Sequence, residues 1–434
     1  MSPENDRGST APPVPGPLAG YRVLDFTDRL QGPLGTQILG DLGAEVLKVE
    51  RLEVLTPDGR PVDRYRTDAE GRLDLDYYRA TFLAVNRNKK SIAIDLKTET
   101  GRKVVRRLVA RVDVVYENFR PGVMDRLGFG YAACAAINPG IVYVSASGYG
   151  PDGPYAGRRG QDILAQGIGG LAAANASGDD RPLAVGVPIG DILGGMNGAT
   201  AALAALLHRD RTGQGQQVQV NLLDSVLASQ LGETLFFLNG PAAEPRRETE
   251  MQAHPYLPPP YGYYRTRDGY LALPSGQQLA ELSEVLGLPD LSLDLRFSTS
   301  EARNLNRVEC DRLLEEALAA RTTAEWLELM EARDIYAGPV HTLAQAFADP
   351  QVQHNGIIAT VDSPTGLIRM IGPPMRLSRT PAGIRAAAPL HGQHSREILG
   401  LAGFSTDEAD QIIESGVVAE RSADASGHPQ ERPT

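Results

Sequence analysis

The 434-residue sequence predicts an α/β protein built on a doubly wound parallel sheet, and three observations lead there. Through the first half, short β-rich runs alternate with runs of helical period, as strand–helix–strand units require. The composition, 42% hydrophobic and 22% charged, is that of a globular chain with a large core. After a smaller mixed unit, the last part of the chain returns to α/β material. Taken in order, "YRVLDF" (21–26) reads as a strand and "GTQILGDLG" (35–43) as a helix ending on glycine. "AEVLKVE" (44–50), "SIAIDL" (91–96), "VDVVYENF" (112–119) and "GIVYVSASG" (140–148) continue the strand series. "TETGRKVVRRLVARV" and "VMDRLGFGYAACAAI" between them have helical spacing. "GGMNGATAALAALLHRD" is a small-residue helix suited to close packing, and residues 240–262 are rich in Pro and Tyr.

Bulk properties narrow the function classes. A net charge of −11 argues against general nucleic-acid binding, which needs surplus Lys and Arg. Two cysteines, Cys134 and Cys310, make neither a disulfide framework nor a zinc pattern and suit a reducing, cytoplasmic setting. The N-terminus lacks signal-peptide blocks, and no apolar run approaches a membrane span, so no membrane partner is expected. Residues 1–17 and 421–434, polar and rich in Pro, Ser and Gly, read as disordered tails.

Local motifs exclude more than they assign. The loop after the first strand, "TDRLQGPLGTQ", lacks the G-x-G-x-x-G of dinucleotide-binding folds. "GIGGLAAANASG" (167–178) is glycine-rich but sits in the wrong context. "HGQH" (391–394) pairs two imidazoles with no third ligand cluster, which points away from a metal site. No G-x-S-x-G elbow occurs. Between Asn86 and Arg126, eleven Lys or Arg face five Asp or Glu. Arg102, Lys103, Arg106 and Arg107 belong to a solvated helix face. Lys97, Arg120 and Arg126 lie instead near strand ends, where open α/β sheets bind ligands and a guanidinium fork suits phosphate. The stretch "GVPIGDILGGMNGA" (186–199) sets one carboxylate, Asp191, among small residues at a helix start. The simplest use of that carboxylate is as an N-cap.

Six blocks then occur in register: "PLAGYRVLDFT", "LGAEVLKVER", "NRNKKSIAIDLKTETGRK", "ENFRPGVMDRLGFG", "INPGIVYVSASGYGPDGPYA" and "GDILGGMNGATAALAAL". With the late "HGQHSREILGLAGFSTDEADQIIESGVV", the chain resembles the family III CoA-transferases from about residue 17 to 420. The resemblance implies a large Rossmann-like domain (18–225, completed by a return segment, 336–420) and a smaller α/β domain with its linker (226–335). It also implies an interlocked, ring-like homodimer that takes coenzyme A or acyl-CoA and a small carboxylic acid as substrates, with no prosthetic group and no metal. In the family the aspartate of this "GD" element is the nucleophile, which is Asp191 here. Small neighbours such as Gly190, Gly194 and Gly195 are expected to open its approach, and helix-start N–H groups to hold its charge.

CoA contacts carry over by position. Arg51 corresponds to an arginine near the nucleotide phosphates, and Ile94, Asp95, Leu96 and Lys97 to a segment lining the adenine and ribose. Asn118, Phe119, Arg120 and Arg126 match further CoA-contacting positions. Arg159 falls where formyl-CoA transferase has a lysine. Two departures shape the expectation. The racemase branch has a His-Asp pair where this chain has Gln161-Asp162, and glutamine is no general base near neutral pH. The glycine-rich loop that covers the nucleophile of formyl-CoA transferase has no counterpart in residues 239–264, which points away from oxalate or formate. The expected function is CoA transfer from an acyl-CoA to a carboxylic acid. An acyl-CoA racemase or epimerase, or a CoA-binding protein without turnover, are the alternatives.

Overall fold

A computed structural model describes residues 14–54, 62–176, 181–240, 247–274 and 278–421. The expected tails, 1–17 and 421–434, fall almost wholly outside these residues. The first half forms β1 (Arg22–Asp25), α1 (Gln31–Asp41), β2 (Glu45–Glu50), α2 (Tyr77–Val85), β3 (Lys89–Ile94), α3 (Glu99–Val109) and β4 (Val114–Glu117). It continues through α4 (Val123–Leu127), α5 (Tyr131–Ile137), β5 (Val142–Ser147), α6 (Asp162–Ile168), α7 (Leu171–Ala174), α8 (Ile189–Thr212) and β6 (Gln216–Asn221). β1, β2, β4 and β5 lie within their expected runs and β3 begins two residues early, while β6 falls in a stretch to which the sequence assigned no strand. The single helical run expected over 123–137 is two helices. Gly128 breaks it by closing α4 in the left-handed region, at φ 83°.

The seven-stranded sheet has the order β12-β3-β2-β1-β4-β5-β6, with β12 (Val418–Ala419) antiparallel to β3 and every other pair parallel. Alternation along the strands feeds two cores. Leu24, Leu47 and Val115 face one core with Val104, Val105 and Leu108 of α3. Val23, Val46, Val114 and Tyr116 face the other with Leu39 of α1 and Ala199, Ala202 and Ala205 of α8. Helices therefore cover both faces, as a doubly wound sheet demands. By length and composition α8 could cross a membrane, contrary to the expectation that no such run exists. Its buried alanines lie instead along the sheet.

The chain divides into two compact units. The first comprises residues 1–162, 189–225 and 356–434, and the second 163–188 and 226–355. This differs from the boundaries expected from sequence in two places. Residues 163–188 join the second unit because their segment packs on the chain beyond β6: Gln230 Nε2 donates to Gly169 O at 2.7 Å and Arg247 to Asn175 O. The return begins at 356 rather than 336 because β9 (Gly338–Pro339) still pairs with β8 (Tyr270–Leu273), itself paired with β7 (Gly262–Arg265). That unit has its own core around Tyr264, Phe297, Leu314, Trp326 and Met330.

The return opens on the hairpin of β10 (Ile358–Ser363) and β11 (Gly366–Ile371). It is tied to the rest of the first unit through hydrogen bonds to the backbone: Tyr65 OH donates to Ala388 O at 2.6 Å, and His394 Nδ1 accepts the Ser91 N–H at 3.2 Å. The imidazoles of "HGQH" thus serve the chain path, His391 contacting Arg51 O at 2.7 Å.

Candidate functional site

From β1 the chain steps outward to β2 and β3, then crosses back to β4 on the other side of β1. The carboxyl ends of β1 and β4 therefore flank the topological switch point, where open α/β sheets form their ligand crevice. Asn118, just past β4, bridges the two loops there. Its Oδ1 accepts the Asp28 N–H and its Nδ2 donates to Asp28 O, both at 2.8 Å. Expected from the family as a CoA contact, Asn118 has this bracing role in the structure. Phe119 lies partly buried against the core below, and its N–H is held by the Glu117 carboxylate at 2.8 Å. Burial pushes the Glu117 carboxyl up to about 7, against the hydrogen bonds from Phe119 and Ser145.

Helix α8 starts at the same edge. Its glycines are closely packed: a Cβ on Gly194 would lie 2.6 Å from Gln31 Nε2, and one on Gly195 2.7 Å from Gln31 O. A Cβ on Gly198 would lie 1.8 Å from Tyr116 OH. Gly194 and Gly195 thus let α8 press on α1, which corrects the expectation that they open a path to Asp191. Gln31 is buried, with Nε2 within 3.5 Å of Ser147 O at the end of β5. Nothing in its sequence context marked it.

Asp191 sits inside the first turn of α8, third in the helix, so it is not the cap. The capping acceptor is Asp162, whose Oδ1 takes the Gly190 N–H at 2.6 Å and the Asp191 N–H at 3.4 Å. The helix-start N–H groups expected to hold the Asp191 charge are given to Asp162 instead. Burial, and then the facing Asp162 carboxylate, push the Asp191 carboxyl up to about 6. It stays mostly ionised at neutral pH and is poorly solvated, a state that favours attack on an electrophile. Gln161, beside Asp162, is exposed.

Asp162 is placed by a glycine neck. A Cβ on Gly148 would lie 2.6 Å from Gly160 Cα, and the reverse substitution 2.5 Å. These two residues close the loop between β5 and α6, with Tyr149 and Tyr155 rings 5.7 Å apart inside it.

The basic tract resolves into two sets of cations. Lys89 is fully buried, 3.0 Å from Asp25, and its Nζ also donates to Pro33 O, Thr36 and Asn86. Burial lowers Lys89 to about 8, while Lys89 and Lys48 outweigh burial and bring Asp25 down to about 2. Arg87 pairs with Asp41 at 2.7 Å, Lys90 with Glu45 and Glu397 at 2.6 Å, and Arg102 and Arg106 with Glu99. Arg107 lies 4.0 Å over the Phe404 ring. In contrast, Arg51, Lys97, Arg120, Arg126 and Arg159 lie exposed at the surface and have no carboxylate partner among the described residues.

All five follow the carboxyl ends of β2, β3, β4 or β5. Ile94 differs from the ligand-lining role expected of it: its side chain is in the core and its backbone pairs with Val418. Asp95 closes the turn, accepting the Lys97 N–H at 2.8 Å, and Leu96 is packed against the core.

Fold and site together define a doubly wound α/β protein with a cation-rimmed crevice and a half-buried carboxylate at a helix start. Comparison with known proteins is specific on this point. Residues 18–395 match the family model described as CoA-transferase family III. The chain is 37% identical to a mouse (Mus musculus) succinyl-CoA:glutarate CoA-transferase, covering 93% of this chain and 90% of that one. It is 34% identical to a formyl-CoA:oxalate CoA-transferase of Streptomyces avermitilis over 92% and 99% of the two chains. A crystal structure of a CAIB/BAIF family protein from Brucella suis superposes with a TM-score of 0.75 at 35% identity, over 89% of this chain and 100% of that one. The protein belongs to CoA-transferase family III.

Proposed function

We propose that the protein transfers CoA from an acyl-CoA thioester to a small carboxylic acid through Asp191. The observation that carries this reading is the half-buried Asp191 carboxyl, raised to about 6, at the carboxyl edge of a sheet whose rim carries cations with no described carboxylate partner. Asp191 attacks the thioester carbonyl, forming a mixed anhydride and releasing CoA thiolate. The thiolate attacks the aspartyl carbonyl, giving an aspartyl-CoA thioester and the free donor acid. The acceptor carboxylate then attacks the aspartyl-CoA carbonyl, expelling CoA thiolate and forming a second mixed anhydride. The thiolate attacks the acceptor acyl carbonyl of that anhydride, releasing the new acyl-CoA and the Asp191 carboxylate. Each step exchanges one acyl–oxygen or acyl–sulfur bond for another, so no redox group is needed.

In this reading Arg51, Lys97, Arg120, Arg126 and Arg159 supply the cations for the CoA phosphates, and the Asp95–Lys97 turn borders the adenosine end. Asp162 orients α8 and tunes Asp191. Gln161 has no proton-accepting group to pair with Asp191 across an α-carbon, which disfavours racemisation. A homodimer is supported by α10 (Leu231–Asn239), where no residue is buried and Leu231, Leu235 and Leu238 are 76%, 66% and 76% exposed.

The test is interception. With wild type and acyl-CoA, hydroxylamine should yield a hydroxamate on the peptide carrying Asp191, and Asp191→Ala should lose both the adduct and transfer while retaining CoA affinity. Retention of more than a few per cent of activity would leave Asp191 a structural residue. Rapid deuterium entry at the acyl α-carbon without any acceptor acid would favour a racemase.

A further inference from the structure

Tyr116 is fully buried near the carboxyl end of β4, and its hydroxyl has no hydrogen-bond partner among the described residues. An orphaned buried hydroxyl costs stability, and phenylalanine would fill the same site without it. The Asp25 carboxylate, on the register partner of Tyr116 in β1, is already taken by Thr27, Thr36 and Lys89. Burial, and then that carboxylate, push the phenol upward from its ordinary range, so the oxygen stays neutral.

The oxygen occupies the joint between two helices. A Cβ on Gly35 of α1 would lie 2.4 Å from it, and one on Gly198 of α8 only 1.8 Å. One turn nearer the start of α8, Gly194 and Gly195 press on Gln31, and Asp191 lies one turn beyond them. Glycines make each of these contacts, so no side chain stands between the backbones to absorb a change by turning to another rotamer. In a close-packed interior, a shift at the phenol oxygen is passed to the axis of α8. We propose that the Tyr116 hydroxyl is a positioning group for the reaction. As an unbonded spacer it holds α8 off α1 and β4 at the separation that places Asp191 for attack. This rests on Asp191 as the nucleophile. A local loss of stability retained in the packing of the helix that carries the reacting group is the trade expected near an active site.

Tyr116→Phe removes one oxygen and nothing else. It should melt no lower than wild type, yet its kcat should fall about tenfold or more, with the KM for acyl-CoA nearly unchanged. Gly198→Ala sets a methyl group on that oxygen and should lower the melting temperature. In the Tyr116→Phe background the same methyl fills the vacated space, facing ring Cζ at 3.0 Å. The double variant should therefore regain the melting temperature and most of kcat, a non-additive rescue that an ordinary core tyrosine would not give. Wild-type kcat in Tyr116→Phe, or a double variant no faster than Tyr116→Phe, would overturn the proposal. So would a lower melting temperature in Tyr116→Phe, which would mean that the hydroxyl is bonded. Asp191→Ala run in parallel keeps the two readings apart. If it retains transfer, the nucleophile reading falls and this proposal with it. If it is inactive while Tyr116→Phe keeps wild-type kcat, this proposal falls alone.

Discussion

Asp162 Oδ1 accepts the Gly190 N–H at 2.6 Å and the Asp191 N–H at 3.4 Å, so one carboxylate caps the helix that carries the other. The two acids are thereby pressed together with their roles divided. Asp162 takes the positive end of α8, and Asp191 is left with burial and a like-charged neighbour.

This sets the pH dependence. Asp191 must be ionised to attack, so kcat/KM should fall about tenfold per unit as pH drops below about 6. Asp162→Asn keeps an oxygen for the cap and removes the charge, which should move the acid limb to lower pH. A pH–rate profile whose acid limb stays in place would mean that Asp162 does not tune Asp191.

The same shift costs stability. The folded-state pKa of Asp191 is above its unfolded value of 3.8, so the folded protein binds this proton more tightly between pH 3.8 and about 6. Its stabilising contribution is complete below the lower value and is lost as pH rises through about 6. Asp191→Asn should therefore be inactive yet more stable at neutral pH, by roughly 1–3 kcal/mol in urea melts.

The Gly148–Gly160 neck has no room for a methyl group on either side. Gly160→Ala should destabilise the fold by about 1–3 kcal/mol, the cost of overpacking. It should also displace Asp162, so that activity falls further than the loss of folded protein explains. Full activity in the folded fraction would show that the neck does not position Asp162.

Lys89 and Asp25 form a fully buried pair. Lys89→Met removes the ion-pair partner 3.0 Å from Asp25 and leaves the buried carboxylate with Lys48 and its threonine hydrogen bonds alone, which should cost about 3–5 kcal/mol. Adding Asp25→Val should recover part of that loss, because the cost comes from the under-compensated charge rather than the missing lysine.

Arg51→Ala and Arg126→Ala should each weaken CoA binding by roughly 1–3 kcal/mol, with little change in melting temperature, since neither side chain is committed to a carboxylate within the described fold. Unchanged calorimetric affinity in both would place the phosphates elsewhere.

Periodicity in the sequence determined the strand–helix alternation and the parallel sheet, because two-residue and helical repeats record locally which face is buried. It also separated Lys97, Arg120 and Arg126 from the helix-face cations, since strand ends can be read from the same repeats. The lone acid before a small-residue helix, Asp191, was legible for the same reason. Its cap was not: Asp162 lies 29 positions away, and the simplest local reading made Asp191 its own cap. Lys89 resembled every other lysine of its tract until the fold placed Asp25, 64 positions earlier, 3.0 Å from it in the core. The glycines of α8 read as open space and proved to be helix contacts. Hydrogen-bond partners, burial and the field at a charge depend on neighbours through space, which no local repeat records, so the tertiary structure alone decided them.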